Sequence, residues 1–577
     1  MKKKLLPALI VTGLIILVVI IMGITALINK YTPTKKTEDL KEYFNISSDD
    51  EAALIVNNEL SDYKAKIIDK KIYVDYKFVH DSLNSRFYWD ANENVLLYTT
   101  ASDIISAAAD SNSYSVTKQT NDFGYPIVKA TSDSALIALD YVKQYSNITF
   151  KSYDDPARIV ITSKWDEIDS ATVSKSTQIR VKGGIKSPIL KEVKKDDKIT
   201  ILDSGDKWDK VATEDGVIGY IKRKALSESK KTKLTNPDYE EETFTHIKKD
   251  KDICLAWNQV TSQSANSKVP QVISSTKGIN VMSPTWFYLN DNNGNLADIA
   301  SKDYVSYCHS QGIEVWGLFS NFENTDVDAA YVLTHTSTRT TLINQIMSAA
   351  FNYELDGVNI DFENITEAAY GDSYIEFIRE LAIKCHNNGI SLSVDVTVPA
   401  SFNKFFNRSD MANFADYIVI MGYDEHYKGS DAGSVSSIPW VTEGVESTLK
   451  EVPADQIILG MPFYTRIWEL TPKEDDDAVT DTEDQSKYTV ASQVYSMDAA
   501  AAQLATNNAT AALDEESGQN YAEWSASNKL YKVWLEDSTS LEKRLKLVDD
   551  NKLAGAAFWK LGFENSSVWD TVIKYLD

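Results

Sequence analysis

Residues 354–364 read Glu-Leu-Asp-Gly-Val-Asn-Ile-Asp-Phe-Glu-Asn, and this stretch decides the fold. Apolar strand formers alternate with Asn359, Asp361 and Glu363, and the two-residue period of a strand puts these polar side chains on one face. A helix-like run and a turn at Gly357 precede them, which indicates an α/β unit with its strands inside. Two carboxyl groups and an amide facing inward cost free energy unless partners or a function compensate. An exposed edge strand is the alternative interpretation.

Closely spaced carboxyl groups on one strand are typical of glycoside cleavage. One acid protonates the leaving oxygen while another group stabilises an oxocarbenium-like centre. Crowding also raises the pKa of one carboxyl, because neighbouring negative charges resist joint ionisation. A divalent-metal site is the competing interpretation, since Asp, Asn and Glu all supply oxygen ligands. The sequence shows no loop with calcium-binding ligand spacing, so we predict a glycosidase site without a metal or cofactor.

Four motifs, in order along the chain, resemble glycoside hydrolase family 18, the chitinase-like enzymes. The family pattern Asp-x-x-Asp-x-Asp-x-Glu runs here from Asp356 to Glu363, with Asn359 where the family has Asp. Asn-Ile-Asp-Phe-Glu is similar to the bacterial spore and cell-wall branch of the family. Three further segments resemble the family's motifs for the sixth, seventh and eighth barrel strands. They are Met-Gly-Tyr-Asp-Glu-His (421–426), Gly-Met-Pro-Phe-Tyr-Thr-Arg (460–466) and Ala-Gly-Ala-Ala-Phe-Trp (554–559).

The resemblance implies cleavage of an N-acetylglucosamine-containing polysaccharide in which the substrate's own acetamido oxygen attacks the anomeric carbon. Glu363 would be the general acid, Asp361 would orient the acetamide N–H, and Tyr423 would bond the acetamide oxygen. The expected substrate-binding residues are Asn359, Asp424, Arg466 and Trp559, the last as the apolar floor under the sugar. The alternatives are core packing for Tyr423 and Trp559 and a structural ion pair for Arg466. Because Asn359 replaces an Asp, we expect Asp361 to titrate differently from its family counterpart.

The fold class predicted for residues 246–577 is α/β, a (β/α)₈ barrel. Eight buried-strand runs alternate with helical patterns, and this alternation is typical of such barrels. Between the last two runs, the stretch near 465–550 is too long for a plain connection and predicts an α/β insertion forming one wall of the groove. The predicted strands are 253–257, 279–283, 314–319, 357–362, 391–396, 417–421, 456–461 and 554–558.

The N-terminus predicts a membrane anchor. Three lysines precede residues 5–28, which carry no charge and are long enough to cross a bilayer. The apolar run is longer than that of a cleaved signal peptide, which remains the alternative. The lysines predict a single-pass protein of the cell membrane, with a cytoplasmic N-terminus and the bulk of the chain outside.

The segments between anchor and barrel predict small domains. We expect a polar spacer over 29–60, a small α/β repeat domain over 61–165, a small β-barrel over 168–228 and a linker over 229–245. The repeat resembles the N-terminal stalk domain of copper amine oxidases, and the β-barrel resembles a bacterial SH3 domain. The SH3 resemblance implies binding of cell-wall peptides, and a passive spacer is the alternative.

Composition limits the remaining choices. A net charge of −25 repels nucleic acid. Three widely separated cysteines predict buried thiols, not a disulfide framework. Two functional alternatives to a cell-wall glycosidase stay open, a chitinase acting on chitin oligomers and a non-catalytic glycan-binding wall protein. Retention of Glu363 and Asp361 favours an enzyme.

Overall fold

The computed structural model describes residues 2–363, 365, 370–473 and 484–576. The chain divides into two compact units. The first comprises residues 1–89, 107–114 and 120–241, and the second comprises residues 90–106, 115–119 and 242–577.

Eight parallel strands of the second unit, here named β1 to β8, close into a barrel. Each pairs with the next, and β8 returns to pair with β1. This confirms the predicted barrel; the largest difference is β2, which runs on to Leu289. The strands are Ile253–Asn258, Val281–Leu289, Glu314–Ser320, Gly357–Asp361, Ser391–Thr397, Tyr417–Met421, Ile457–Pro462 and Gly555–Trp559, with Leu296–Asp298 added antiparallel to β2.

Helices cover the outside of the barrel and share its core with the strands. Along β4, Val358 and Ile360 pack into the large cluster between strands and helices, so Asn359 and Asp361 face inward. Gly357 begins the strand and does not form the turn expected of it; a Cβ there would lie 2.5 Å from the Trp316 ring. The helices are Val269–Ile273, Lys302–Ser310, Ala329–Thr334, Thr336–Tyr353, Gly371–His386, Arg408–Phe414, Ile438–Thr448, Ser538–Asn551 and Trp569–Val572.

An α/β lobe lies between β7 and β8, where the sequence predicts an insertion. It is a five-stranded antiparallel sheet with one helix, Met497–Thr506. Residues 474–483 of the predicted insertion lie outside the described residues. The strands of the lobe are Tyr464–Pro472, Tyr488–Ser496, Ala512–Asp514, Gln519–Ala526 and Lys529–Leu535.

The first unit contains a mixed seven-stranded sheet with two short helices. Each helix, Tyr76–Ser82 and Leu139–Gln144, is followed by two strands. The sheet strands are Glu51–Val56, Glu59–Ile68, Lys71–Asp75, Val128–Ala130, Ala135–Ala138, Thr149–Tyr153 and Arg158–Thr162. Further strands in this region of the chain are Phe87–Asp90, Val95–Thr99, Ile104–Ala108, Ser113–Val116 and Gln119–Asp122.

The structure differs from the predicted spacer over part of 29–60, because that part is folded. Helix Leu40–Tyr43 and strand Glu51–Val56 lie within it. Phe44 and Ile55 are fully buried and belong to one core cluster with Val211. A few apolar side chains are enough to pack this polar segment against a core. The average composition of the segment does not show this.

A second seven-stranded sheet in the first unit is antiparallel throughout. Its last strand, Lys230–Lys233, pairs with Glu167–Thr172, so the predicted linker over 229–245 begins inside the sheet. The resemblance of this sheet to a bacterial SH3 domain stays a prediction. The remaining strands are Thr177–Arg180, Ile189–Val193, Lys198–Asp203, Trp208–Thr213 and Ile218–Lys222.

The N-terminal helix runs from Lys2 to Tyr31. Its segment Leu9–Tyr31 is long and apolar enough to cross a membrane, with mean hydropathy 2.9 and none of it buried. A signal sequence would have the same character, so the anchor stays a prediction. All three cysteines are buried and free, as predicted, and burial raises the pKa of the Cys254 thiol to about 12.

Candidate active site

The residues singled out from the sequence lie at or just beyond the carboxyl ends of the barrel strands. Asp361 ends β4, Glu363 follows it, Tyr423 and Asp424 follow β6, and Trp559 ends β8. In parallel barrels this end of the strands holds the active site, because the loops that follow the strands meet there. The predicted acid, its neighbouring carboxyl group and the aromatic floor therefore share one mouth.

Asn359 is a structural hub and not a sugar ligand. Its Oδ1 accepts hydrogen bonds from Trp257 Nε1 (3.0 Å) and Ser283 Oγ (2.9 Å). Its Nδ2 donates to Ser393 Oγ (3.0 Å) and Asp395 Oδ1 (2.7 Å). The side chain is fully buried, and these four bonds use the whole capacity of an amide. The predicted substrate contact of Asn359 is therefore corrected: it joins β1, β2, β4 and β5.

Asp361 is buried beside a second buried carboxyl group, Asp395 on β5. The two side chains are 6% and 3% exposed. Burial raises the pKa of Asp361 well above its ordinary value, and the charges of Asp395, Glu363 and Glu323 raise it further. Its Oδ1 is buried without a hydrogen-bond partner. Asp361 thus presents an unused acceptor in a site that favours the protonated form.

Glu363 lies at the open edge of the same site. Its backbone N–H donates to Asn321 Oδ1 (3.1 Å), while its side chain reaches solvent. The surrounding protein still desolvates its carboxyl group in part, which raises the pKa of Glu363. The charges of Asp424 and Glu323 raise it further. A raised pKa keeps a proton available, which is what a general acid needs. Glu363 and Asp395 both line a cavity of about 210 Å³.

Three aromatic rings lie together at this end of the barrel. Trp257, at the centre of the inner barrel cluster, has its ring centroid 6.0 Å from that of Trp559 and 6.4 Å from that of Tyr423. Trp559 and Tyr423 are only partly buried, so each keeps an accessible face or edge. Burial and the charges of Asp361, Asp395 and Glu363 hold the pKa of Tyr423 well above its ordinary value. Its phenol therefore remains a hydrogen-bond donor.

Asp424 and Arg466 form one wall with Tyr464. The Tyr464 hydroxyl donates to Asp424 Oδ1, and Arg466 Nη2 lies 3.7 Å from the same oxygen. Arg466 also donates to Ser492 Oγ (3.1 Å), but its Nε is buried without a partner. Asp424 is exposed and adopts a left-handed backbone conformation (φ 61°). Arg466 thus makes the ion pair that was the alternative to substrate binding, and it also keeps one N–H donor without a partner.

Glu425 and His426, whose roles the motif does not indicate, support the loop after β6. Glu425 accepts hydrogen bonds from the Ser437 backbone N–H (2.7 Å) and Oγ (2.9 Å). His426 Nδ1 bonds the Ser434 carbonyl at 2.7 Å. Both side chains are thus engaged with the segment that leads into helix Ile438–Thr448.

Sequence reasoning missed Asp395, Glu323 and Tyr464. For Asp395 a signal was available: in Ser391–Thr397 it is the only charged residue, and it alternates with apolar residues on a strand that the sequence places inside. Glu323 follows β3 in a loop and accepts hydrogen bonds from Ser320 Oγ (2.7 and 2.6 Å), a short-range pattern without a functional signature. In the described parts of the chain, no three His, Cys, Asp or Glu side chains are grouped to hold a metal ion.

A larger cavity, of about 690 Å³, lies in the first unit and is lined by residues between Asn58 and Leu234. Volume alone does not identify the reactive site. Among the described residues that line this cavity are lysines and hydroxyl side chains, but none of the carboxyl groups discussed above. The smaller cavity is the one that Glu363 and Asp395 line.

Comparison with known proteins agrees with the geometry. Residues 321–564 match the model of Glycosyl hydrolases family 18. The chain is 24% identical over 301 residues to the uncharacterized glycosylase YvbX of Bacillus subtilis (strain 168), covering 49% of this chain and 81% of the relative. It is 24% identical over 287 residues to the cortical fragment-lytic enzyme of the same organism, covering 48% of this chain and 63% of the relative.

Among solved structures, the C-terminal domain of a candidate chitinase from Desulfitobacterium hafniense DCB-2 is similar in fold. The TM-score is 0.50 at 19% identity, and the match covers 57% of this chain and 100% of that domain. At this identity the likeness shows the barrel fold alone. Residues 321–564 are thus similar to glycosyl hydrolase family 18, and this match together with the glycosylase relatives supports a glycosidase.

Proposed function

We propose that this chain is a membrane-anchored glycoside hydrolase that cleaves β-1,4 bonds after N-acetylglucosamine in peptidoglycan, with the substrate's acetamido group as nucleophile. One observation carries the proposal: Asp361 keeps a buried, unpartnered carboxyl oxygen beside the accessible acid Glu363. An unused acceptor next to a proton donor suits a substrate that brings its own N–H and its own nucleophilic oxygen.

The first step begins at Glu363, whose raised pKa retains a proton. The proton goes to the leaving glycosidic oxygen as the bond from that oxygen to the anomeric carbon breaks. The acetamido oxygen of the same sugar forms the new bond to the anomeric carbon, giving an oxazolinium ring. Asp361 Oδ1 accepts the acetamide N–H and stabilises the positive charge that develops there.

Tyr423 and Trp559 hold the reacting sugar in place. The Tyr423 phenol donates a hydrogen bond to the acetamide oxygen and so directs it towards the anomeric carbon. The Trp559 indole supplies an apolar surface for the sugar face. Water then attacks the anomeric carbon, Glu363 takes its proton, and the ring opens to the free sugar. Asp424 and Arg466, on the wall of the mouth, contact hydroxyl or carboxyl groups of neighbouring sugars.

The choice of peptidoglycan over chitin rests on the N-terminal half of the chain. An apolar helix at the membrane and two small sheet domains before the barrel suit an enzyme acting on the wall of its own cell. The relative named as a cortical fragment-lytic enzyme supports wall material as the substrate class. N-acetylmuramic acid carries a lactyl ether and peptide, which a site floored by Trp559 accommodates less easily than N-acetylglucosamine.

The test is product analysis. The full chain in detergent is incubated with peptidoglycan and, separately, with chitin oligomers, and the products are reduced with borohydride and analysed by mass. Reduced glucosamine ends from peptidoglycan support the proposal, whereas reduced muramic ends indicate a muramidase. Ready release of chitobiose with no new ends from wall favours the chitinase alternative, and binding without any new ends favours the glycan-binding alternative.

The anchor is tested on intact cells. Protease added outside should release most of the chain and leave the N-terminal helix in the membrane. A mature N-terminus near Lys30, or full protection of the chain, contradicts the proposed topology.

Cell-wall peptides are the proposed ligands of residues 168–228. The 690 Å³ cavity of the first unit, which these residues help to line with Lys198, Thr200 and Glu214, offers charged and hydroxyl groups for such a ligand. Sedimentation with peptidoglycan before and after enzymatic removal of its peptides tests this. Unchanged binding to the stripped glycan argues for a passive spacer.

A further inference from the structure

We propose that Asp395 is a positioning residue that replaces, from the neighbouring strand, the carboxyl group that the motif lacks at Asn359, and that it shares one proton with Asp361. The inference rests on the proposed function, because it assigns Asp395 to the same reaction. It concerns a residue outside the motif from which the site was predicted.

The strand register places the two carboxyl groups side by side. In the parallel pair of β4 and β5, Asn359 lies opposite Ser393 and Ile360 opposite Val394. The same register continued by one residue brings Asp361 beside Asp395. Neighbouring strands are about 4.8 Å apart and both side chains face the barrel interior. Both are nearly fully buried, which excludes water as the main partner of either carboxyl group. Two such groups cannot both carry a negative charge without a large energetic cost.

The contacts of Asn359 explain how the second carboxyl group of the site can lie on β5, at Asp395, and not at position 359. An amide side chain does not titrate, so Asn359 cannot exchange a proton with Asp361. Its Nδ2 instead donates to Asp395 Oδ1 at 2.7 Å, while its Oδ1 is already occupied by Trp257 and Ser283. The amide therefore fits this position because an acceptor lies across from it on β5. Asn359 and Asp395 form one unit that fixes the position of the Asp395 carboxyl group.

The chemistry follows from this arrangement. Asp395 Oδ1 accepts from Asn359, which leaves its Oδ2 to hold the shared proton. When the acetamide N–H of the substrate reaches Asp361, the proton rests on Asp395 and the negative charge on Asp361, opposite the developing oxazolinium cation. No proton leaves the pair, so the total charge of the site is unchanged in this step.

The other ionisable groups around the pair are acidic or phenolic. Burial holds the pKa of Asp395 well above its ordinary value, and the Glu363 charge raises it, while the hydrogen bond from Asn359 lowers it. The hydroxyl of Tyr374, on helix Gly371–His386, is buried without a partner and is affected by both carboxyl groups. The titratable groups that interact with the pair are Glu323, Glu363, Tyr374 and Tyr423.

The test moves the carboxyl group back to β4. The full chain in detergent is made as wild type and as Asp395→Asn, Asp395→Ala, Asn359→Asp and the double variant Asn359→Asp/Asp395→Ala. We expect kcat to fall about 10²-fold in Asp395→Asn on whichever glycan the wild type cleaves, peptidoglycan or chitin oligomers, because a misplaced reacting group costs about that factor. The double variant should regain most of the loss, with its pH profile shifted from that of wild type. Rescue of this kind distinguishes a shared proton from a merely structural role.

A second readout is independent of turnover. Isotope-edited infrared spectra of aspartate carboxyl groups should show a protonated side chain in wild type at neutral pH that is absent in Asp395→Asn and returns in the double variant. Asp395→Asn keeps the side-chain shape, so it serves if Asp395→Ala does not fold. Wild-type kcat and pH profile in a folded Asp395→Asn, or no protonated aspartate in wild type, would overturn the inference. A wild-type protein inactive on all glycans refutes the proposed function, and the infrared result then still decides the shared proton.

Discussion

Replacing Glu363 with glutamine should abolish turnover and leave the fold and glycan binding nearly unchanged. Glutamine keeps the shape of the side chain and loses only the transferable proton. The Glu363 side chain is exposed, and the contact that fixes this residue, from its backbone N–H to Asn321 Oδ1, does not involve the carboxyl group. The substitution therefore separates chemistry from structure.

The expected magnitudes differ sharply for rate and stability. General-acid assistance contributes roughly 10²–10⁴-fold, equivalent to about 2.7–5.5 kcal/mol in the activation free energy. An exposed substitution changes the free energy of unfolding by about 0.5 kcal/mol or less. At pH values above the pKa of Glu363, the substitution also relieves repulsion with Asp424 and Glu323, whose charges raise that pKa. The melting temperature should thus stay constant or rise slightly.

The assay compares kcat on a chitin oligomer, the melting temperature and the Kd for the same oligomer. Glu446→Gln is the matched control, because Glu446 is an exposed glutamate on helix Ile438–Thr448. It should leave kcat unchanged. Near-wild-type kcat in Glu363→Gln would remove Glu363 from the mechanism. A large fall in melting temperature would instead show that its carboxyl group is part of the fold.

Three further predictions concern the floor of the site, the pH profile and a buried ion pair. Trp559→Ala should raise KM about tenfold, because loss of roughly 1.5 kcal/mol of apolar contact corresponds to that factor; an unchanged KM would make Trp559 plain core. Since the pKa of Glu363 is raised and a general acid must be protonated, kcat/KM should persist above the usual glutamate range and fall as pH rises through that pKa; Glu323→Gln should move this fall to lower pH, and an unmoved profile would contradict it. Arg544→Met should cost about 3–5 kcal/mol of unfolding free energy, because it leaves Glu536 buried and unpaired after loss of bonds of 2.7 and 2.8 Å; denaturant titration measures this, and Glu536→Leu in the same chain should recover part of it.

The barrel could be read from the sequence because its signal is local. Each of the eight strands is a short buried run between helical patterns, and the ends of β6 are those predicted, Tyr417 and Met421. The folded part of residues 29–60 could not be predicted for the opposite reason. Their average composition is polar, and only tertiary packing shows that Phe44 and Ile55 complete a core.

Only the part of the site that lies within one sequence motif could be predicted. The sequence predicted Asp361 and Glu363 on one inward face; the structure has Asp361 at the inward-facing end of β4 and Glu363 just beyond the strand. It could not show what Asn359 contacts, because its four partners come from three other strands far apart in the chain. Asp395 was missed for the same reason. Its meaning appears only when β5 is known to lie beside β4 in a register that puts Asp395 next to Asp361.

The anomeric configuration of the first product tests the central claim most directly. Attack by the acetamido oxygen and then by water inverts the anomeric carbon twice, so a β-linked chitin oligomer should first release a β-anomer. Proton NMR within the first minutes of hydrolysis, before mutarotation, measures this. Initial β-anomer is the predicted result. Initial α-anomer would mean a single direct attack by water and would contradict substrate-assisted catalysis at Asp361 and Glu363.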